Sequence, residues 1–510
     1  MTMGMRARGL SAMVAAAVLM AACGSGGHHA KGGLLPGQLG VGTSGGVSGG
    51  SATTTGGGGG VLASPGGAAH AGGALPGGGS SASSGTGGGA PAGATVPGVV
   101  PGVSGTGGAS GSRGTIKIGV PYPNDEGAIY QAVGVKSASS NPQQFQAMVN
   151  SIVNYLNAHG GIAGYHVVPV FDGYAISQGD FTTQMQAMCT FFTEDHPVFA
   201  VLFLNGNSYD PLPACLAQHH TPLVINTNSY YYDDAQLAQF GPYYYRPFMA
   251  SIAEVGSQVD GLIRFGFLSA SHKIGVLRWD DPQGGWAESN LVAPHLAAHG
   301  LKVASEFAYT PINSLAEVSQ AANQSNNAVL RFRSAGVDRI ITVASNAAFP
   351  FLFATAAESQ GYRPGYGMSS MDIPGFQPGN APSGQLPGMV AVGWNRGFDL
   401  DFNAPTPGAS SIPEWQQCGA IESQGGITNG DRSACDVFFF VQRAVAGASS
   451  LSAAVLRAGV DHLGSASQAG ATVNLLFRPG RDDGISSARW VVYDGGCNCM
   501  KYASTPFPVS

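Results

Sequence analysis

The chain has 510 residues, of which 44% are hydrophobic, and 23 Lys and Arg residues against 29 Asp and Glu residues give a net charge of −6. This length exceeds what one hydrophobic core usually supports, so more than one lobe is expected. The acidic balance and the lack of any run of Lys and Arg argue against a nucleic-acid-binding protein.

The first 23 residues have the features of an export signal. Arg6 and Arg8 supply a positive end, and a short apolar run from Leu10 to Ala22 ends in small residues. The run is too short for a permanent membrane span. Met20-Ala-Ala-Cys23 resembles a bacterial lipoprotein box, although leucine is usual where Met20 stands. We therefore predict lipidation at Cys23, with simple secretion and an unmodified thiol as the alternative.

Residues 24–114 are predicted to be a disordered tether. They hold 36 of the 78 glycines, no Asp, Glu, Phe, Trp or Tyr, and only Lys31 and Arg113 as fixed charges. Such a segment cannot bury enough apolar surface to offset the entropy of ordering it. At roughly 5–6 Å × √n, the tether would hold the folded part on the order of 50 Å from a membrane.

The rest of the chain alternates predicted strands and helices. The strands are expected at 116–120, 166–171, 198–204, 222–226, 273–278, 302–306, 338–343 and 389–394. The helices are expected at 142–157, 180–193, 211–219, 248–266, 285–299, 314–335, 348–360 and 433–447. This alternation predicts an α/β fold, with parallel sheets that are covered by helices on both faces.

One strand–helix–strand segment carries a more specific pattern. Apolar residues recur at helical spacing from Phe145 to Leu156, glycines then end the helix, and His166 to Phe171 alternates as a strand. Asn157-Ala-His-Gly-Gly-Ile-Ala-Gly-Tyr-His-Val, followed by Asp172, resembles the INAxGGIxGRxIxLVxxDD segment of type I solute-binding proteins. These proteins are the extracytoplasmic receptors of branched-chain amino-acid-type ABC importers.

The resemblance implies two Rossmann-like lobes that the chain joins by three crossovers. We place the crossovers near Arg246-Pro247, from Trp394 to Phe398, and from Arg481 to Ser487. The first lobe is then 115–246 with 396–482, and the second lobe is 247–395 with 483–510.

The candidate ligand-binding residues lie in loops at the carboxyl ends of strands, where parallel sheets bind ligands. In the first lobe these loops are 121–125, 204–209 and 226–232, and the resemblance implies that the last two hold a ligand carboxylate. Helix capping is the alternative role for their Asn and Ser residues. In the second lobe, 279–286 resembles the family's DDxxYG turn, and 343–347 and 368–372 end the next two strands. The predicted ligand-binding residues are Tyr122, Asn207, Ser208, Asn228, Ser229, Tyr230, Gln283, Asn346 and Asp372.

Two departures from the family pattern bear on the ligand. Gly284 stands where the family commonly has an aromatic residue over the ligand, and Asp372 is shifted from the usual place of the acid that pairs with an ammonium group. Both weaken the case for an α-amino acid, so a neutral, aromatic or polyol-like molecule is an equal alternative.

Six cysteines remain in the folded part, as suits an oxidising compartment. The sequence alone does not choose among their pairings. Family members often join the helices that hold Cys189 and Cys215, so the resemblance favours that pair, and Cys418–Cys435 then closes a local loop. Cys497 and Cys499 either pair with each other or bind a metal. A lone CxC without a nearby histidine is weak evidence for metal, so we predict the Cys497–Cys499 disulfide and no metal.

No catalytic constellation emerges from the sequence. HExxH and GxxxxGK(S/T) motifs are absent, and Gly367-Met-Ser369-Ser-Met371 lacks the second glycine of a hydrolase elbow. We predict a non-enzyme without cofactor: an exported solute-binding protein, lipid-anchored to the outer face of the bacterial cytoplasmic membrane. It would capture a small polar or amino-acid-like molecule between its lobes and deliver it to an ABC importer.

The predicted partners are a small-molecule ligand, an ABC permease, and the membrane through the lipid anchor only. Nucleic acid is not expected, and both a monomer and a dimer fit the sequence. A ligand-sensing or cell-surface receptor of the same fold without a permease is the main alternative, and a secreted enzyme is the third.

Overall fold

A computed structural model describes residues 113–125, 127, 141–204, 210–226, 232, 234–248, 252–310, 318–343, 348–400, 412–426, 433–466, 468–481 and 483–509. Within these ranges, no helix combines the length and the apolar character needed to cross a membrane.

The first sheet has five parallel strands in the order β2-β1-β3-β4-β5. The strands are β1 (Thr115–Pro123), β2 (His166–Tyr174), β3 (Ala200–Phe203), β4 (Leu223–Ile225) and β5 (Tyr244–Tyr245). The helices between them are α1 (Pro142–Ala158), α2 (Phe181–Thr190), α3 (Leu212–Gln218) and α4 (Asp234–Phe240). A π-helical turn, Phe191–Asp195, extends α2.

The segment that carries the family resemblance folds as predicted. Asn141 and Gln144 form a reciprocal capping box at the start of α1, which buries its apolar face from Phe145 to Leu156. After the helix, Gly161 has a φ of +70°, and a Cβ there would lie 1.9 Å from the Tyr165 carbonyl oxygen. The turn therefore requires glycine. The Asn157 side chain bonds both the N–H and the C=O of Val167, which ties the helix end to β2.

The second sheet is mixed, with its main strands in the order β11-β12-β10-β9-β8-β6-β7. The parallel part contains β6 (Ile274–Trp279), β7 (Val303–Tyr309), β8 (Arg339–Thr342), β9 (Gly365–Ser369) and β10 (Met389–Gly393). The order β7-β6-β8-β9-β10 repeats that of the first sheet. An antiparallel edge follows, with β11 (Asn474–Leu475), β12 (Ile485–Asp494), β13 (Cys499–Tyr502) and β14 (Phe507–Pro508).

The helices of the central and C-terminal parts complete the layers. They are α5 (Glu254–Arg264), α6 (Pro282–Ala287), α7 (Ala293–Ala298), α8 (Val318–Ala335), α9 (Ala348–Ser359), α10 (Gln377–Asn380), α11 (Arg396–Asp399), α12 (Pro413–Gln424), α13 (Ser433–Ala444) and α14 (Ala453–His462). A π-helical turn, Glu288–Val292, joins α6 to α7. The predicted α/β fold is confirmed, whereas β5, β9, the antiparallel edge, α4, α10, α11, α12 and α14 were not among the predicted elements.

Helices α12 and α13 return to the first sheet after the second sheet has begun. The Gln417 amide donates to the Tyr155 hydroxyl of α1 at 2.7 Å, and the Gln442 amide donates to the Gly161 carbonyl at 2.9 Å. The chain therefore passes between the two sheets three times: after β5, after β10, and between α14 and β12. The predicted crossover positions and lobe boundaries stay predictions, and the third predicted crossover, 481–487, extends into β12.

Three disulfides join the six cysteines of the folded part in the pairs that the sequence analysis favours. Cys189–Cys215 links the end of α2 to α3 with Cα atoms 6.2 Å apart. Cys418–Cys435 links α12 to α13, and Cys497–Cys499 lies in the turn between β12 and β13.

Candidate ligand-binding site

The strand order of both sheets marks where a ligand would bind. In a sheet of order 2-1-3-4-5, the connections leave in opposite directions on either side of the first and third strands, which opens a crevice beyond their carboxyl ends. In the first sheet this crevice lies between the ends of β1 and β3, near Asp125 and Leu204. In the second sheet it lies between the ends of β6 and β8, near Asp280 and Val343.

Tyr122 lies near the end of β1, but its ring contributes to the core. It packs against Phe145 of α1 at 5.9 Å between ring centroids and edge-on against Phe171 of β2 at 6.3 Å. Just beyond it, the Asp125 carboxylate accepts hydrogen bonds from the backbone N–H groups of Ile176 and Ser177 at 2.7 and 2.9 Å. The loop after β1 is thus held by the turn that follows β2, and a ligand role for Tyr122 stays a prediction.

Most of the predicted site residues lie outside the described residues. These are Asn207, Ser208, Asn228, Ser229, Tyr230 and Asn346, together with the predicted lipidation site Cys23. Their roles stay predictions.

Asn226, which the predicted set did not include, is a further candidate at the end of β4. It is 1% exposed, and its backbone N–H donates to the Phe203 carbonyl of β3. Neither Oδ1 nor Nδ2 of its side chain has a hydrogen-bond partner among the described residues. A buried polar atom without a partner costs about 1–3 kcal/mol, so such groups are rare outside functional sites. The sequence placed Asn226 at the start of a candidate loop but gave no sign that its amide is buried.

The turn after β6 is organised by Asp281 and Gly284. Asp281 caps α6 by accepting a hydrogen bond from the Gly284 N–H at 2.6 Å, and burial raises the pKa of its carboxyl. A Cβ at position 284 would lie 2.6 Å from the Trp279 carbonyl oxygen. The turn therefore has no room for the aromatic side chain that the family commonly places here.

Gln283 lies half-buried in the first turn of α6. Trp286, in the same helix, is 36% exposed and presents an aromatic surface near the carboxyl end of β6. A ligand role for Gln283 stays a prediction.

Asp372 is fully buried in the turn after β9. Its Oδ2 accepts a hydrogen bond from the Ser369 N–H at 2.7 Å, and Ser369 in turn caps the short helix that contains Asp372. These contacts show that the carboxylate stabilises the turn after β9. Its predicted pairing with a ligand ammonium group stays a prediction.

A depression of about 540 Å³ lies elsewhere on the second sheet. Phe351 and Thr355 of α9 line it together with residues 378–383, Leu386 and Asn498. Leu386 precedes β10, and Asn498 follows the antiparallel β12, so the depression is beside the amino end of β10. Because ligands of such sheets bind at the carboxyl ends of strands, we do not assign the binding site to it.

One group of potential metal ligands occurs within the described ranges, formed by Cys189, Cys215 and His219 with donor atoms within 4.8 Å of one another. Cysteine binds zinc as a thiolate, and the disulfide between Cys189 and Cys215 removes both thiolates, which leaves His219 alone in this group. The same argument applies to Cys497 and Cys499.

Comparison with solved structures identifies the fold. A substrate-binding periplasmic protein from Ralstonia solanacearum is 17% identical, with 77% of this chain and 100% of that chain covered and a TM-score of 0.53. A solute-binding protein of an ABC transporter from R. palustris, in complex with 4-hydroxybenzoate, is 15% identical over 77% and 97% of the two chains, with a TM-score of 0.54.

An ABC transporter substrate-binding protein from Desulfitobacterium hafniense, in complex with leucine, is 16% identical over 76% and 99% of the two chains, with a TM-score of 0.52. No protein-family model matches the chain, and no curated protein matches it. With two helix-covered sheets joined by three connections, the chain has the fold of the type I periplasmic binding proteins.

Proposed function

We propose that this protein is an extracytoplasmic solute-binding protein that captures a small molecule between its two lobes and delivers it to an ABC importer. The repeated strand order carries the proposal, because a sheet of this order binds ligands beyond the carboxyl ends of its first and third strands. Two ABC-transporter solute-binding proteins of the same fold have been solved in complex with leucine and with 4-hydroxybenzoate.

The residues at the strand ends favour a small polar or aromatic ligand. The buried Asn226 amide offers an NH2 donor group and a carbonyl acceptor side by side. The close turn at Gly284 excludes an aromatic residue, while Trp286 presents a ring two positions later. A ligand that pairs with the Asn226 amide and has an apolar or aromatic body fits both features.

The proposal includes export and anchoring. The apolar run before Cys23 and the box around that cysteine support lipidation, and the Gly-rich segment 24–114 would then connect the anchor to the folded part. Three disulfides support an oxidising compartment outside the cytoplasm.

A thermal-shift screen tests ligand capture. The exported chain with Cys23→Ser is heated with leucine, glutamine, 4-hydroxybenzoate, benzamide or ribose. A true ligand at a hundredfold excess over its dissociation constant stabilises the protein by about 2.7 kcal/mol. If no member of these chemical classes raises the melting temperature, the proposal of solute capture fails.

A receptor without a permease is the second candidate, and the length of segment 24–114 favours it. Docking on a permease in the same membrane does not require a reach on the order of 50 Å. Crosslinking of the lipid-anchored protein in its native membrane separates the two functions. Capture of ABC permease subunits supports delivery, and their absence among crosslinked partners in ligand-fed cells supports the receptor.

A further inference from the structure

Two of the three connections between the sheets meet at a buried cluster of charged side chains. We call Arg246, Glu254, Arg481 and Asp483 the hinge cluster. Glu254 is fully buried, and Arg246 and Asp483 are 2% and 3% exposed. The Arg481 guanidinium bonds Asp483 and lies 3.4 Å from Oε1 of Glu254. The backbone joins the same connections, because the N–H of residue 484 donates to the carbonyl of residue 247 at 3.2 Å.

The hinge cluster links elements that belong to different sheets. Glu254 begins α5, and one turn later the Gln258 amide donates to the carbonyls of Thr342 in β8 and Gly367 in β9. On the other side, Arg457 of α14 donates to the Arg481 carbonyl at 3.4 Å. Helix α14 packs on α13, which contacts α1 of the first sheet. Movement between the sheets must therefore rearrange the contacts of Arg481.

Other charged and titratable groups surround the cluster. Arg457 pairs with Asp461 of its own helix at 2.6 Å. From α7, His295 packs against Gly256 of α5 and bonds Asp260 at 2.9 Å. Arg246 faces Asp483 electrostatically. Within α5 itself, the Ser257 hydroxyl favours the charged form of Glu254.

Two carboxylates of the cluster, Glu254 and Asp483, share the Arg481 guanidinium, and Arg246 acts electrostatically on Asp483. Burial, with a further contribution from Asp483, raises the pKa of Glu254 to about 8, while Arg481 and Ser257 oppose the rise. Near neutral pH, Glu254 is thus mostly protonated, and Arg481 pairs with Asp483. An ionised Glu254 would be a buried charge that shares the Arg481 guanidinium with Asp483, so an arrangement that admits water favours its ionisation.

We propose that protonated Glu254 holds the first and third connections together and that its ionisation loosens them, so that pH controls the relative position of the two sheets. If the protein captures a solute as proposed above, the same residue makes capture depend on pH. The inference on the hinge itself needs no ligand for its test.

The sign of the effect follows from linkage. The pKa of Glu254 in the described structure lies above the ordinary value of 4.5. The protonated form therefore stabilises the structure fully below about pH 4.5, and this stabilisation is lost as the pH rises to about 8. Opening of the connections should increase up to about tenfold per pH unit in this window and level off above it.

Hydrogen exchange of the ligand-free Cys23→Ser chain tests the proposal. Protection factors, corrected for the intrinsic pH dependence of exchange, are measured for peptides covering 246–254 and 476–485 from about pH 5 to about pH 9. We expect protection to fall with pH in the starting protein and to be nearly constant in Glu254→Gln. Glu358→Gln, at an acid of α9 that pairs with Arg363, is the matched control and should keep the slope.

An unchanged slope in Glu254→Gln would overturn the proposal. If that variant does not fold, Asp483→Asn decides instead. Loss of the neighbouring carboxylate lowers the pKa of Glu254, so protection should level off at a lower pH than in the starting protein. An unchanged levelling point contradicts the proposal. A pH-sensitive hinge in a protein that fails the ligand screen would refute the proposed function alone.

Discussion

At the scale of single residues, the described structure contains buried polar groups whose burial has a measurable consequence. Asn226 and Asp399 illustrate two kinds. The Asn226 amide has no hydrogen-bond partner within the described part of the chain, so its burial is unfavourable unless a further group supplies the partner. Asp399 has its partners, but full burial raises the pKa of its carboxyl to about 7.

Asn226→Ala should separate ligand affinity from stability. Without ligand, the variant should be as stable as the starting protein or slightly more stable, because it loses a buried amide without partners. The stabilisation by ligand should fall by about 1–3 kcal/mol, which thermal shift detects. Asn327→Ala, at an exposed position of α8, is the control and should preserve the ligand effect. Equal loss of stability with and without ligand would assign Asn226 a purely structural role.

The buried Asp399, near the second connection, should make the free energy of unfolding depend on pH. Its carboxylate accepts hydrogen bonds from the Ser370 hydroxyl at 2.6 Å and the Tyr502 hydroxyl at 2.7 Å. Because its pKa is raised, the stability that the protonated acid contributes is present below about pH 4 and lost by about pH 7. Urea titrations should show that Asp399→Asn loses less free energy of unfolding over this range, by on the order of a few kcal/mol. Asp494→Asn, at an exposed acid, should behave as the starting protein does, and identical pH slopes in all three proteins would disprove the assignment.

At the scale of elements, the sequence predicted best where one local signal dominated. Helix α1 combines a capping box with apolar residues at helical spacing. The turn after it requires glycine at position 161, so its backbone conformation can be predicted from the sequence. Strand β9 gave a weaker signal, because Gly365 and Gly367 have no side chains where Leu262 of α5 and Phe267 just after it pack against the strand. A Cβ at position 367 would lie 2.7 Å from Leu262. Only the tertiary contact explains these glycines, so the pattern alone could not place the strand.

The unpredicted helices and antiparallel strands have a similar cause. Helix α12 buries only Cys418, Ile421 and Glu422, so its sequence shows little amphipathic pattern. Strand β12 pairs with β10, β11, β13 and β14 along its length, and its burial does not alternate regularly. Asn226 in the candidate site was missed for a related reason, because only the neighbouring strands show that its amide is buried.

The disulfide between α2 and α3 should contribute strongly to stability. It closes a loop with a sequence separation of 26 residues. Removal of a disulfide that closes a loop of this size lowers the free energy of unfolding by roughly 3–4 kcal/mol. We expect Cys189→Ala/Cys215→Ala to melt at a clearly lower temperature. Cys497→Ala/Cys499→Ala, which opens a loop of separation 2, should lose much less. Equal losses in the two double variants would contradict this ranking.

At the scale of the whole molecule, two sheets whose parallel strands have the same order are joined by three connections that contain or contact buried polar groups. The first and third connections meet at the hinge cluster, and the second places Asp399 beside Ser370. Packed interfaces of this kind change between two discrete relative positions of the sheets more readily than they deform continuously. A ligand that contacts both sheets would favour one position by its difference in affinity between the two.

Hydrogen exchange with and without a ligand from the thermal-shift screen tests the central claim most directly. If one solute binds at the carboxyl ends of both sheets, saturating ligand should increase protection in two regions at once: 204–210 with 226–232, and 279–287 with 343–348. Protection confined to one sheet, or located at the depression lined by 378–383, would contradict the account.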